Sequence, residues 1–243
     1  MNIFLFDIDG TLLASGGAGK LALETAFTED FGLELRVQVP YSGRTDRAIV
    51  RELFQVHGVA HTQANLEKLL AGYLRRLPSC LERLKGRVLP GIADLLVYLQ
   101  QQDRVAVGLL TGNVRAGAKV KLGHFGLFEH FSFGGFGDDH FDRDDVAREA
   151  LAAVRTHIHP QATPDRIWVI GDTPLDVRCA RAIGANAVAV ATGLHSVDEL
   201  AAAAPDLVLR DLSDPTPVLN LCLAGKSGPG PTVPRRATGL DGD

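Results

Sequence analysis

The 243-residue chain has little cysteine, and the three it has, Cys80, Cys179 and Cys222, lie far apart with no CxxC pair. That spacing argues against a disulfide framework, a thiolate zinc site or a redox pair, and it fits buried or incidental thiols in a reducing compartment. Basic excess is missing too: the formal net charge is −4, so no cationic surface proposes nucleic acid as a partner. No apolar segment approaches the ~20 residues that span a bilayer. The N-terminus opens directly into an apolar run, without a basic region followed by a signal-like segment. His57, His61, His157 and His159 form no metal spacing and read as ordinary surface residues. No internal repeat is visible. These absences leave a cytoplasmic, water-soluble protein with neither nucleic acid nor membrane as a partner, either a monomer or a homodimer. With 46% hydrophobic and 22% charged residues, the composition is that of an ordinary globular chain, long enough for one large domain or a domain carrying an insert.

What is present begins at Phe4-Leu5-Phe6-Asp7-Ile8-Asp9-Gly10-Thr11-Leu12. A buried strand ends abruptly in two carboxylates, a glycine and a hydroxyl. In an open α/β sheet, ligands bind at that edge. Alternation places Asp7 and Asp9 on the same side of an extended backbone. Two like charges that close need a cation or a shared proton, and oxygen ligands at this spacing suit Mg²⁺. An Asp-Gly turn with a solvated acid on each side is the plainer alternative.

Farther along, helical spacing predicts helices over Lys20 to Phe31, Thr45 to His57 and Thr62 to Leu77. Pro78 is expected to end the third, and a short helix to follow at Leu81 to Lys85. Leu33 to Val39 reads as a segment that could extend. After Pro90-Gly91 an alternating pattern sets in. Helices are expected at Ile92 to Gln101, Val114 to Gly123, Asp144 to His157, Thr173 to Ile183, Val197 to Ala203 and Pro217 to Cys222. Strands are expected at Arg104 to Leu110, from His130 to Phe133, and at Arg166 to Ile170, Ala187 to Val190 and Leu207 to Leu209. Alternation of this kind predicts an α/β fold with a doubly wound parallel sheet. The expected organisation is a core of residues 1–13 and 88–223, a helical insert over 14–87, and a disordered Gly/Pro-rich tail over 224–243.

Two more strand ends carry chemistry. Leu109-Leu110-Thr111-Gly112-Asn113 presents a hydroxyl and free N–H groups where a helix opens, which is either an anion site or simply an N-cap. Val169-Ile170-Gly171-Asp172-Thr173-Pro174-Leu175-Asp176 ends in two acids four residues apart, which either face the strand end or merely favour a helix N-terminus.

Together these three strings, DIDGTL, LLTGN and GDTPLD, resemble in order the first, second and fourth motifs of the haloacid dehalogenase superfamily, in its phosphoglycolate phosphatase-like branch. The resemblance implies a Rossmann-like core with a helical cap inserted after the first motif. It implies Asp7 as nucleophile and Asp9 as general acid/base, the latter marking phosphate-ester rather than dehalogenase chemistry. It implies Mg²⁺ held by Asp172, the Asp7 side chain and the Asp9 backbone carbonyl, with Asp176 behind. By the same resemblance Thr111 holds phosphoryl oxygens, helped by Gly10, Thr11, Gly112 and Asn113. The implied function is a Mg²⁺-dependent phosphatase of a small phosphorylated metabolite. A sugar-phosphate mutase of the same superfamily, identified by a bisphosphate requirement, and a non-catalytic phospho-ligand-binding protein are the alternatives.

The third motif departs from the family pattern, which places a Lys before the helix that precedes the fourth. No Lys lies between 122 and 171. Arg143 stands at that place, and a guanidinium can hold a carboxylate and a phosphate together. Lys121 is the other candidate, but it lies about two turns into the helix after Thr111, roughly 12 Å along the axis. In the insert, Arg44 of Ser42-Gly43-Arg44-Thr45-Asp46 is a candidate for the substrate, ahead of Arg47 and Lys20. Asp138, Asp139, His140 and His195 are candidate edge groups.

Overall fold

The computed structural model describes residues 1–223; the tail expected over 224–243 lies outside them. The first strand, β1 (Asn2–Phe6), is buried along its whole length. It splits its side chains by the two-residue period of a strand. Phe4 and Phe6 enter one apolar cluster, Ile3 and Leu5 another on the opposite face. A strand covered on both faces reads as a continuous apolar run, which is why this one was legible.

In chain order follow β2 (Leu13–Ala14), α1 (Ala18–Phe31), α2 (Asp46–Val56), α3 (Gln63–Leu84), β3 (Arg87–Val88), α4 (Ile92–Gln100) and β4 (Val105–Leu110). Then come α5 (Arg115–His124), β5 (Gly134–Gly135), α6 (Arg143–His157), β6 (Ile167–Gly171), α7 (Pro174–Ala182), β7 (Asn186–Val190), α8 (Val197–Ala202), β8 (Leu207–Leu209) and α9 (Thr216–Leu223). The main sheet has the order β5-β4-β1-β6-β7-β8 and every pairing in it is parallel. This is the doubly wound, Rossmann-like sheet that the alternation predicts. The chain builds outward from β1 to β4 and β5, then returns to its other side at β6. The order therefore reverses at β1, and a ligand crevice belongs at the C-terminal end of that strand.

Helices α1, α2 and α3 have an apolar cluster of their own around Phe27, Leu53, Phe54, Leu69, Tyr73 and Leu77. They leave and rejoin the rest of the chain through a two-stranded antiparallel ladder, Leu13 opposite Val88 and Ala14 opposite Arg87. The sequence gives no hint of this ladder, because two-residue strands carry no period.

Three local expectations fail. Pro78 does not end a helix: α3 runs through it to Leu84. The apolar stripe continues past the proline as Cys80 and Leu81, both buried with Leu77, and that burial outweighs the single backbone bond a proline removes. Leu33 to Val39 is irregular rather than extended. The strand expected from His130 begins instead at Gly134, because Phe128–His130 winds into a 3₁₀ turn. Gly134 and Gly135 are required there: a Cβ would lie 2.6 Å from the Leu109 carbonyl at the first and 2.3 Å from the Val146 carbonyl at the second. No helix among the described residues is long and apolar enough to cross a membrane.

Candidate active site

Where β1 ends, the chain turns at once. Gly10 adopts φ +88°, and the N–H groups of Thr11, Leu12 and Leu13 all donate to the Ile8 carbonyl, at 3.3, 2.9 and 3.1 Å. The left-handed conformation favours glycine, and so does space: a Cβ on Gly10 would stand 2.4 Å from Asp172 Oδ2. This turn aims Asp7 and Asp9 into one cavity of about 430 Å³, which Gly10, Gly112, Asn113, Lys121, Arg143 and Asp172 also line. Tyr41, Arg44, Asp46 and Tyr73, from α1–α3 and their loops, form its opposite wall.

The two acids have different surroundings. Asp7 is buried and faces Asp172 and Asp176; the three carboxylates offer oxygens within 4.8 Å of one another. Burial pushes Asp7 up to about 7, with Arg143 opposing and Asp176 and Asp9 adding to the rise. Burial likewise pushes Asp172 up to about 8, reinforced by Asp176 and Asp7. Asp7 Oδ1 is buried with no hydrogen-bond partner among the described residues, although Arg143 Nη2 lies 3.4 Å away. A buried carboxylate oxygen without a partner, inside a group of three hard oxygen donors, fits a small divalent cation.

Asp172 and Asp176 are delivered by β6 and α7. Thr11 Oγ1 donates to Asp172 Oδ1 at 3.2 Å. Asp176 closes a capping box: its Oδ2 accepts from the N–H and Oγ1 of Thr173 at 3.0 and 2.7 Å. Its Oδ1 accepts from Arg143 Nη2. Both Asp176 oxygens are thus engaged by protein donors. Arg143, at the first position of α6 and 4% exposed, spans from Asp176 to Asp7.

Asp9 is clasped from the other side. Its Oδ2 accepts from Lys121 Nζ at 2.5 Å and Asn113 Nδ2 at 2.9 Å, and its Oδ1 from Ser15 Oγ at 3.3 Å. Burial alone would raise its pKa, but the Lys121 ammonium and these hydrogen bonds hold the carboxyl below its usual range. Lys121 is therefore in the site, contrary to its distance along the sequence. Its side chain leans back toward the N-terminus of α5, as helical side chains do, and its Nζ also donates to Asn113 Oδ1 at 2.5 Å. One signal for it was available: Lys121 falls on the buried stripe of α5 with Gly117, Ala118 and Leu122.

The remaining sequence candidates divide. Thr111 is fully buried and outside the cavity lining; its Oγ1 accepts from Asn113 N–H and Nδ2 at 3.3 and 2.9 Å. Arg44 lines the cavity, yet its guanidinium is held by Glu52 at 2.5 Å and the Pro40 carbonyl at 3.1 Å. Lys20 reaches the rim with Glu24 3.8 Å away. Arg47 and Asp139 pair at 3.5 Å, His140 meets Glu149 at 3.2 Å, and Asp138 accepts from Arg115 N–H at 2.8 Å, all beyond the cavity wall. Thr192, Gly193 and Leu194 line it where His195 does not. His57 is no idle surface residue: its Nε2 accepts from Arg36 N–H at 3.0 Å and its ring packs on Phe27.

A family model described as haloacid dehalogenase-like hydrolase matches residues 4–181. A phosphoglycolate phosphatase of Synechococcus elongatus is 32% identical over 217 residues, covering 88% of this chain and 95% of that protein. Among solved structures, a hydrolase from Pseudomonas syringae superposes with a TM-score of 0.68 at 23% identity, over 90% of this chain and 98% of that one. CbbY from Rhodobacter sphaeroides, solved in complex with phosphate, gives 0.69 at 18% identity, over 88% and 96%.

Proposed function

The chain belongs to the haloacid dehalogenase-like hydrolase family and is a phosphatase of it, and on that premise we propose that it hydrolyses a small phosphate monoester through a phosphorylated Asp7. Asp7 attacks phosphorus in line while Asp9 protonates the leaving alkoxide. Asp9 then takes a proton from the water that attacks the aspartyl phosphate, and inorganic phosphate departs. The observation that carries this reading is the unequal treatment of two neighbouring acids. Asp7 keeps a buried oxygen free of hydrogen bonds, and Asp9 is fixed by three donors.

Asp7, Asp172 and the Asp9 backbone carbonyl would hold Mg²⁺, with Asp176 and Arg143 bracing the acids. When bound, the ion neutralises phosphoryl charge and the repulsion among the carboxylates. Arg143 orients Asp7, Lys121 orients Asp9, and the Gly112 backbone N–H meets the phosphoryl oxygens, in a loop that the buried Thr111 hydroxyl braces through Asn113. Residues 14–87 act as a cap that closes over the cavity and keeps water out. The similarity to a phosphoglycolate phosphatase supports a substrate of that size.

The test is phosphate release from phosphoglycolate, hexose phosphates, nucleotides and an aryl phosphate, with Mg²⁺ and with EDTA. Release that requires the metal is expected; equal release in EDTA removes the Mg²⁺ assignment. No release from any ester removes the phosphatase reading. A second expectation follows from Gly193, where a Cβ would fall 1.7 Å from Asp172 Oδ2. Gly193→Ala should raise the Mg²⁺ concentration for half-maximal release about 10-fold, the usual effect of disturbing a metal ligand's support. An unchanged Mg²⁺ titration would take Asp172 out of the metal set.

A further inference from the structure

The segment Arg44-Thr45-Asp46 joins the two halves of the cavity wall by backbone as well as by side chain. Asp46, at the first position of α2, donates its N–H to the Gly112 carbonyl at 2.8 Å. Its Oδ2 accepts from the Val114 N–H, also at 2.8 Å. Val114 is the N-cap residue of α5, and a valine side chain offers no cap of its own. The helix that carries Lys121 is thus capped by two carboxylates from other parts of the chain, Asp46 at the Val114 N–H and Asp138 at the Arg115 N–H. Close packing reinforces the seat. The Arg44 carbonyl lies so near Gly112 that a Cβ there would stand 2.2 Å from it. The buried Thr45 Oγ1 donates to the Phe141 carbonyl at 3.2 Å while accepting from Ala48 N–H at 3.1 Å.

Between Gly112 and Val114 sits Asn113, which binds both Asp9 and Lys121. Asp46 therefore holds both ends of the short segment whose middle residue orients the acid/base. We propose that Asp46 is a positioning residue for hydrolysis: by capping α5 it sets loop 111–114 in its working geometry only while α1–α3 are seated against the sheet edge. Closure and assembly of the site are then one event. If α1–α3 lift away, the Val114 N–H and Gly112 carbonyl lose their partners together, and loop 111–114 keeps its sheet-side bonds alone, Thr111 N–H to the Gly135 carbonyl at 3.1 Å and Gly137 N–H to the Asn113 carbonyl at 2.8 Å. The kinetic consequence rests on the phosphatase reading; the cap itself does not.

The test compares the full chain with Asp46→Ala and Asp46→Asn, reading kcat on an aryl phosphate at saturating Mg²⁺ and hydrogen exchange of the Val114 amide. Asparagine keeps an acceptor oxygen and removes the charge that faces Lys121. Asp46→Ala should lose on the order of 100-fold in kcat, the scale of a small misplacement of catalytic groups, and Val114 exchange should rise about 10-fold or more. Asp46→Asn should stay within about 3-fold of wild type on both readings, because the hydrogen bond survives. An Asn variant as impaired as the Ala variant overturns the proposal, since charge and not the cap would then matter. Faster Val114 exchange with unchanged kcat overturns it as well. If the wild type releases no phosphate, the phosphatase reading fails by itself, and unchanged Val114 exchange in Asp46→Ala would still overturn the cap.

Discussion

On the proposed mechanism, Asp7→Asn is expected to abolish phosphate release, by about four orders of magnitude or more, because the amide is no nucleophile. The fold should survive the change and, without metal, gain from it. In the metal-free protein the Asp7 carboxyl titrates at about 7 against 3.8 as a free side chain, chiefly through burial. Below pH 3.8 both folded and unfolded chains hold the proton, and Asp7 has no effect on stability. As pH rises toward 7 the unfolded chain releases its proton while the folded chain keeps it, so stability falls over that window and levels off above it. Asp172, raised to about 8, adds a decline of the same sign. In EDTA, Asp7→Asn should therefore melt higher than wild type at pH 8, with the gap shrinking by pH 5. With Mg²⁺ the ranking reverses, since the wild type gains a bound cation that the variant holds poorly. Thermal melts at the two pH values, with and without Mg²⁺, check this. Coincident melts at pH 8 in EDTA would mean that Asp7 is not strained by burial and is not awaiting a cation.

Lys121→Met should cost about 100-fold to 1,000-fold in kcat, the range for losing correct general acid–base function. Without the ammonium, burial is less opposed and the Asp9 carboxyl rises. On the proposed mechanism, the base form of Asp9 then forms only at higher pH, so the acid limb of the kcat profile should move up. Stability falls too. Lys121 is 5% exposed but Asp9 is 38% exposed toward the cavity, so water screens part of the unpaired charge and the loss is about 2 kcal/mol rather than that of a fully buried pair. Adding Asp9→Asn should return most of that stability and none of the activity. A Lys121→Met enzyme with an unmoved acid limb would show that Lys121 fills space and does not govern Asp9.

The sheet could be read from sequence because β1, β4 and β6 are covered on both faces and so appear as unbroken apolar runs. The acids could be read because each follows such a run directly. Distance along the helix axis hides Lys121, which lies about two turns beyond the end of β4. What matters is the direction of the side chain and the face of α5 turned to the cavity. Asp46 gave no sign of its bonds, since its partner Val114 is 68 residues away and neither residue belongs to a local pattern that names the other. Pro78 misled for the opposite reason: a strong local rule gave way to a buried stripe on both sides of it.

The ladder between Leu13–Ala14 and Arg87–Val88 also bears on how such a protein changes over evolutionary time. The long helical excursion departs and returns at adjacent points, so the sheet registers none of its length or content. Helices, turns and cavity-facing side chains between those points can be exchanged, lengthened or redesigned without shifting a single pairing of β1, β4 or β6. Most of the excursion is thus separable from the acids at the strand ends, and Ser15 and Asp46, which reach Asp9 and the start of α5, mark the positions it has to keep.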